Sequence, residues 1–195
     1  MIDQRGRSWL TKHIVSPIGK VLVRLHISAS MITVLGLVVT IIGSIILANG
    51  HPVTAGFVIG LGGGIDGVDG TVARLTGTAS RRGAFLDTMS DRVGELAMFA
   101  GLAWFVADEP LLVLLAIISL GNSMLIPYVR SKAEAEGLEG KGGLMGRAER
   151  IILFCALIIP VGWDWWGAAV MLWPMVVLTG LTVLQRYWKA WVALQ

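Results

Sequence analysis

Apolar residues dominate six stretches of the chain, at about 31–49, 53–73, 84–107, 111–129, 148–162 and 167–187, and short polar segments separate them. Each stretch approaches the roughly 20 residues that a helix needs to cross the hydrocarbon layer of a bilayer. The pattern predicts an all-α polytopic membrane protein: a core of six transmembrane helices over 28–195 and a juxtamembrane segment over 1–27, in one membrane domain covering 1–195. Within 1–27, Trp9, Leu10, Ile14, Ile18, Val21, Leu22 and Leu25 recur mostly at steps of three or four, with Arg5, Lys12, Lys20 and Arg24 on other faces. That spacing predicts an amphipathic helix lying on the membrane surface, bent or interrupted at Pro17. Ser28 and Ser30 are candidate caps where the chain turns into the first span.

Composition supports this reading. The chain has 195 residues, is 55% hydrophobic and has a mean hydropathy of +0.74, more apolar surface than a soluble domain of this size can hide. Lys and Arg fall before the first span, between the second and third, between the fourth and fifth, and after the sixth. The other connections, around His51, Asp108 and Asp164, carry none, so the positive-inside rule predicts that both termini and the basic loops face the cytoplasm. Such a face suits anionic headgroups and phosphorylated solutes, and topology explains its charge without nucleic acid. Trp163, Trp165 and Trp166 at one end, with Trp188 and Trp191 at the other, form an interfacial belt. Cys155 is a lone cysteine in an apolar helix, and His13, His26 and His51 share no motif.

The polar residues that break the apolar pattern carry the chemistry. Asp66 and Asp69 are three apart and Asp87 and Asp91 four apart, so each pair lies on one face of its helix. The short segment between the helices turns those faces toward each other. A single charge in a bilayer costs roughly 2.5–3.5 kcal/mol on insertion scales, and four carboxylates together require a compensating cation. They are read as a divalent metal site in the cytoplasmic half, since Asp66 lies roughly 20 Å along its helix. Gly56, Gly60 and Gly64 are read as packing positions, and Gly70, directly after Asp69, as clearance for a ligand.

Asp66, Asp69, Gly70, Ala73 and Arg74, then eight residues, then Gly83, Asp87 and Asp91, resemble the signature of the CDP-alcohol phosphatidyltransferases at every defined position. The resemblance implies transfer of a phosphatidyl group from CDP-diacylglycerol to an alcohol, with release of CMP. It implies Mg²⁺ or Mn²⁺ held by Asp66, Asp69, Asp87 and Asp91, with Asp91 also as general base. For the CDP-diacylglycerol it implies contacts from Ser30, Met31, Ile32, Thr33, Asp69, Gly70, Arg74 and Ser80. It also implies a homodimer.

The loop over 128–150, with Tyr128, Arg130, Lys132, Glu134, Gly137, Glu149 and Arg150, is similar to the corresponding stretch of the actinobacterial phosphatidylinositol-phosphate synthases within that family. That similarity implies inositol 1-phosphate as acceptor, its phosphate held by Arg130, Lys132, Arg150 and Arg186. Glycerol 3-phosphate, giving phosphatidylglycerol phosphate, is the alternative, because either acceptor carries a phosphate that needs cations beside four carboxylates. A cation transporter is the alternative of a different class, and a catalytically silent membrane scaffold a third. The transporter would place its carboxylates at the membrane midplane and has no use for Arg74, Arg150 or Arg186.

Overall fold

The computed structural model describes residues 28–140 and 142–194. The amphipathic segment read over 1–27 lies outside these residues, as do the histidines at 13 and 26. The described residues form six helices and no strand: α1 (Ala29–Ala48), α2 (Pro52–Leu75), α3 (Arg81–Phe105), α4 (Pro110–Ala135), α5 (Arg147–Gly162) and α6 (Ala168–Ala193). Ser28, rather than Ser30, caps α1 by accepting a hydrogen bond from the Met31 N–H. Ser80 caps α3 in the same way through Gly83, and prolines at the first turn open α2 and α4.

Three helices, α1, α4 and α6, are long and apolar enough to cross a membrane. The other three fall short for separate reasons. In α2, glycines and two aspartates dilute the apolar residues; α3 carries Arg81, Arg82, Asp87, Asp91, Arg92 and Glu95; and α5 has 16 residues. The helices that carry chemistry are thus the least lipid-like.

The helices pack in a ring. α1 lies against α2 and α3, α2 against α5, α5 against α6, α6 against α4, and α4 against α3. Close approach around α1 depends on glycine. A Cβ at Gly62 would sit 2.9 Å from the Gly36 carbonyl oxygen, and one at Gly101 only 2.4 Å from that of Ser44. Gly56 packs on Ile159 and Gly60 beside Cys155, as read for packing positions, whereas Gly64 has nothing within 4 Å.

Apolar core and polar residues separate along the bundle axis. Leu47, Ala55, Ile59, Phe99, Leu102, Leu112, Phe154, Ile158, Met171 and Leu172 form one buried cluster. They come from the later halves of α1, α3 and α5 and the earlier halves of α2, α4 and α6, so one end of the ring is filled. Phe99 and Phe154 meet edge to face there, with centroids 5.9 Å apart at 86°. All four signature aspartates lie toward the other end.

Gly101→Val forces a side chain into the backbone of α1, and the expected loss is about 1–3 kcal/mol of stability. Gly64→Ala, with open space around it, is expected to gain up to about 1 kcal/mol. Unfolding of the detergent-solubilised protein by heat or denaturant checks both.

Candidate active site at the carboxylate end of the bundle

The end of the ring opposite the apolar core collects charge from α2, α3 and α5. Asp66, Asp69 and Asp87 each present one oxygen such that the three atoms lie within 4.8 Å of one another, spacing that suits a shared cation. Asp66 is 4% exposed, and the other two are half-buried. The Thr33 hydroxyl, on α1, lies 2.5 Å from Asp69 Oδ2, while the Gly70 N–H donates to Asp69 Oδ1. Both contacts fix the Asp69 carboxylate from behind.

Asp91 is not part of this triad. Its Oδ1 lies 2.6 Å from Arg147 Nη1, and its Oδ2 lies 3.6 Å from Arg92 Nη2. Arg147 Nη1 also hydrogen-bonds Asp66 Oδ2, so one guanidinium joins the triad to the fourth aspartate. Arg92 continues inward to Glu95, 2.5 Å away, and both Nε and Nη2 of Arg150 donate to the other Glu95 oxygen. Asp66, Arg147, Asp91, Arg92, Glu95 and Arg150 therefore form one chain of alternating charge. Its inner end is dry, with Glu95 2% and Arg150 1% exposed.

Beside the triad lies a cavity of about 720 Å³ between the start of α1, the end of α2 and the start of α3. Ser30, Thr33, Asp69, Gly70, Arg74 and Ser80 line it. Two further residues expected there do not: Met31 points outward at 60% exposure, and Ile32 is buried against Val68 and Val72. A Cβ at Gly70 would meet nothing within 4 Å, consistent with its reading as clearance. Arg74 donates to the Thr71 hydroxyl, which holds its guanidinium along the cavity wall.

The four basic residues expected to bind an acceptor phosphate divide between two places. Arg130 and Arg186 line a second hollow, of about 220 Å³, together with Lys189. Arg130 pairs with Glu134 at 2.8 Å, and Arg186 donates from Nε to the Gly142 carbonyl and from Nη1 to that of Ile126. Lys132 is exposed on α4 outside the hollow's lining, while Arg150 is held inside the bundle by Glu95.

Sequence reasoning missed Glu95 and gave Arg147 no role beyond loop charge. A signal for Glu95 existed, because it extends the four-residue rhythm of Asp87 and Asp91 along one face of α3. Arg147 had none, since contact with residues 81 positions earlier depends on the packing of α5 against α2.

A carboxylate triad next to a cavity lined by hydroxyl and charged side chains suits a phosphorylated, metal-bound headgroup. The family model for CDP-alcohol phosphatidyltransferases matches residues 26–189, and the chain belongs to that family. That membership favours the transferase reading over a cation transporter. Among named relatives, it is 38% identical over 120 residues to the phosphatidylinositol phosphate synthase of Mycolicibacterium smegmatis, a stretch covering 56% of this chain and 53% of that protein. The match thus spans about half the length of that relative. The Mycobacterium bovis enzyme of the same name is 33% identical over 92% of this chain and 87% of its own length. Two crystal structures of the Mycobacterium tuberculosis phosphatidylinositol phosphate synthase superpose with a TM-score of 0.83 at 31% identity and cover 91% of this chain. One holds manganese and citrate and aligns over 89% of its length; the other holds CDP-DAG and aligns over 94%.

Glu95→Ala leaves Arg150 charged and unpaired in the interior. The expected loss is about 3–5 kcal/mol, measured by unfolding in detergent, with Glu95→Gln losing less because its amide oxygen still accepts.

Proposed function

We propose that this protein transfers a phosphatidyl group from CDP-diacylglycerol to a hydroxyl of myo-inositol 1-phosphate, releasing CMP and forming phosphatidylinositol phosphate. The observation that carries the reading is the triad of Asp66, Asp69 and Asp87 opening onto the 720 Å³ cavity. The donor's cytidine diphosphate occupies that cavity. Thr33 and Ser80 offer hydroxyls to it, Arg74 a fixed cation, and Gly70 a bare stretch of backbone.

The same residues fit Mg²⁺ or Mn²⁺. Asp66, Asp69, Asp87, Asp91 and Glu95 set against Arg92, Arg147 and Arg150 leave a formal charge of −2. One divalent ion neutralises it. Asp66, Asp69 and Asp87 would hold the metal, with Asp91 beside them as a further carboxylate, and it would supply Lewis-acid stabilisation of the pyrophosphate. Asp91 takes the proton from the acceptor hydroxyl as the new ester bond forms, and the bond to CMP breaks on the opposite face of the phosphorus. The acceptor's phosphate sits in the basic hollow against Arg130 and Arg186, whereas Lys132 lies outside the hollow's lining and Arg150 is engaged by Glu95. Two backbone hydrogen bonds fix the Arg186 guanidinium in advance, which reduces the ordering cost of binding.

In this reading residues 1–195 form one domain in the cell membrane and all six helices cross it. α2 and α3 tolerate Asp66, Asp69, Asp87, Asp91, Arg92 and Glu95 because these are buried or half-buried among one another, while Arg74, Arg81 and Arg82 are exposed at the helix ends. Both termini and the active site face the cytoplasm, and the protein works as a homodimer embedded in membrane lipid. Two things support the acceptor assignment: relatives named phosphatidylinositol phosphate synthase, and Arg130 and Arg186 side by side in this chain's hollow.

Membranes containing the protein should release CMP from CDP-diacylglycerol only when inositol 1-phosphate is added, and chelation should abolish the reaction until Mg²⁺ or Mn²⁺ is restored. Release dependent on glycerol 3-phosphate instead would reassign the acceptor. Asp91→Asn should cut turnover by about 10²–10⁴-fold while CDP-diacylglycerol still binds, measured by initial rates and lipid binding.

A further inference from the structure

Arg147 differs from the other cations of the bundle in being shared. Its Nη1 meets Oδ2 of Asp66, a member of the triad, and lies 2.6 Å from Oδ1 of Asp91, the carboxylate assigned as base. It stands at the first turn of α5, and the segment leading to it is tied to α6. The Leu144 N–H donates to Gln185 Oε1, the Met145 N–H donates to Thr182 Oγ1, and Gly142 accepts from Arg186. Gly143 turns the chain there with φ +93, where a Cβ would strike Thr182 and Arg186. The guanidinium is therefore delivered to the two aspartates from a fixed base, and it stays charged at any working pH.

A permanent positive charge beside a metal ligand acts against a divalent ion. It draws on the same carboxylate charge and repels the ion across a few ångströms of low-dielectric interior. It also engages Oδ1 of Asp91, an oxygen that would otherwise be open to the ion. We propose that Arg147 is a built-in competitor of the metal: it lowers the grip of Asp66 on the divalent ion and keeps Asp91 out of the tightest ligand set, so that the ion stays exchangeable and Asp91 stays free to take a proton. The inference rests on the metal reading above. It makes Arg147 a positioning residue for Asp91 and a limit on metal affinity.

A merely structural Arg147 makes the opposite prediction, because loss of an anchor for Asp66 and Asp91 loosens the ligands and weakens binding. Mn²⁺ alone is the probe, titrated into the full-length protein in detergent without lipid and followed by the electron paramagnetic resonance signal of free Mn²⁺. Arg147→Gln is expected to bind Mn²⁺ about tenfold tighter than wild type while its phosphatidyl transfer falls. Arg147→Lys, which keeps a positive charge, is expected to stay within about threefold of wild type. Unchanged or weaker binding by folded Arg147→Gln overturns the inference, as does Arg147→Lys binding as tightly as Arg147→Gln. Should Arg147→Gln not fold, the double variant Arg147→Gln/Asp91→Asn, compared with Asp91→Asn alone, must show the same tightening or the inference fails. A wild-type protein that binds no Mn²⁺ overturns the metal reading instead.

Discussion

Charge balance inside an apolar ring is the constraint on which the rest of this structure depends. Five carboxylates and three guanidiniums lie at one end of the bundle, several of them almost fully buried. None could stay ionised there alone, because desolvation costs several kcal/mol per ion. Alternation of sign along the chain from Asp66 to Arg150 is what makes their burial tolerable. That chain also sets positions: α2, α3 and α5 are held in register by ion pairs at the end where lipid-facing packing contributes least.

The residual charge gives the site its selectivity. A cluster that was neutral through its own arginines would have no attraction for a metal, and one without them would be too anionic to fold. The arrangement falls between these limits, with a deficit that one divalent ion fills. Arg74, Arg130 and Arg186 lie outside the chain and line the two hollows.

Much of this was legible in the residues. The six apolar stretches match the six helices, and the signature aspartates pointed to a shared site, because helical spacing fixes which side chains share a face. The reading stopped short where apolarity and helicity part company. α4 and α6 run to Ala135 and Ala193, beyond their apolar stretches, because a helix with one polar face continues after the lipid-like residues end. Contacts between distant residues were hidden as well. The similarity to related synthases implied a phosphate contact for Arg150, and its partner in the structure is Glu95, on a helix 55 residues earlier. The family resemblance implied nucleotide contacts from Met31 and Ile32 along with Ser30 and Thr33, whereas helical rotation turns one outward and the other into a small buried cluster.

The filled end of the ring has its own consequence. Aliphatic and aromatic side chains from all six helices meet there, and Phe99 packs against Phe154 in the middle. The polar end is therefore approached only through its own mouth, and whatever enters there meets packed apolar side chains on the far side.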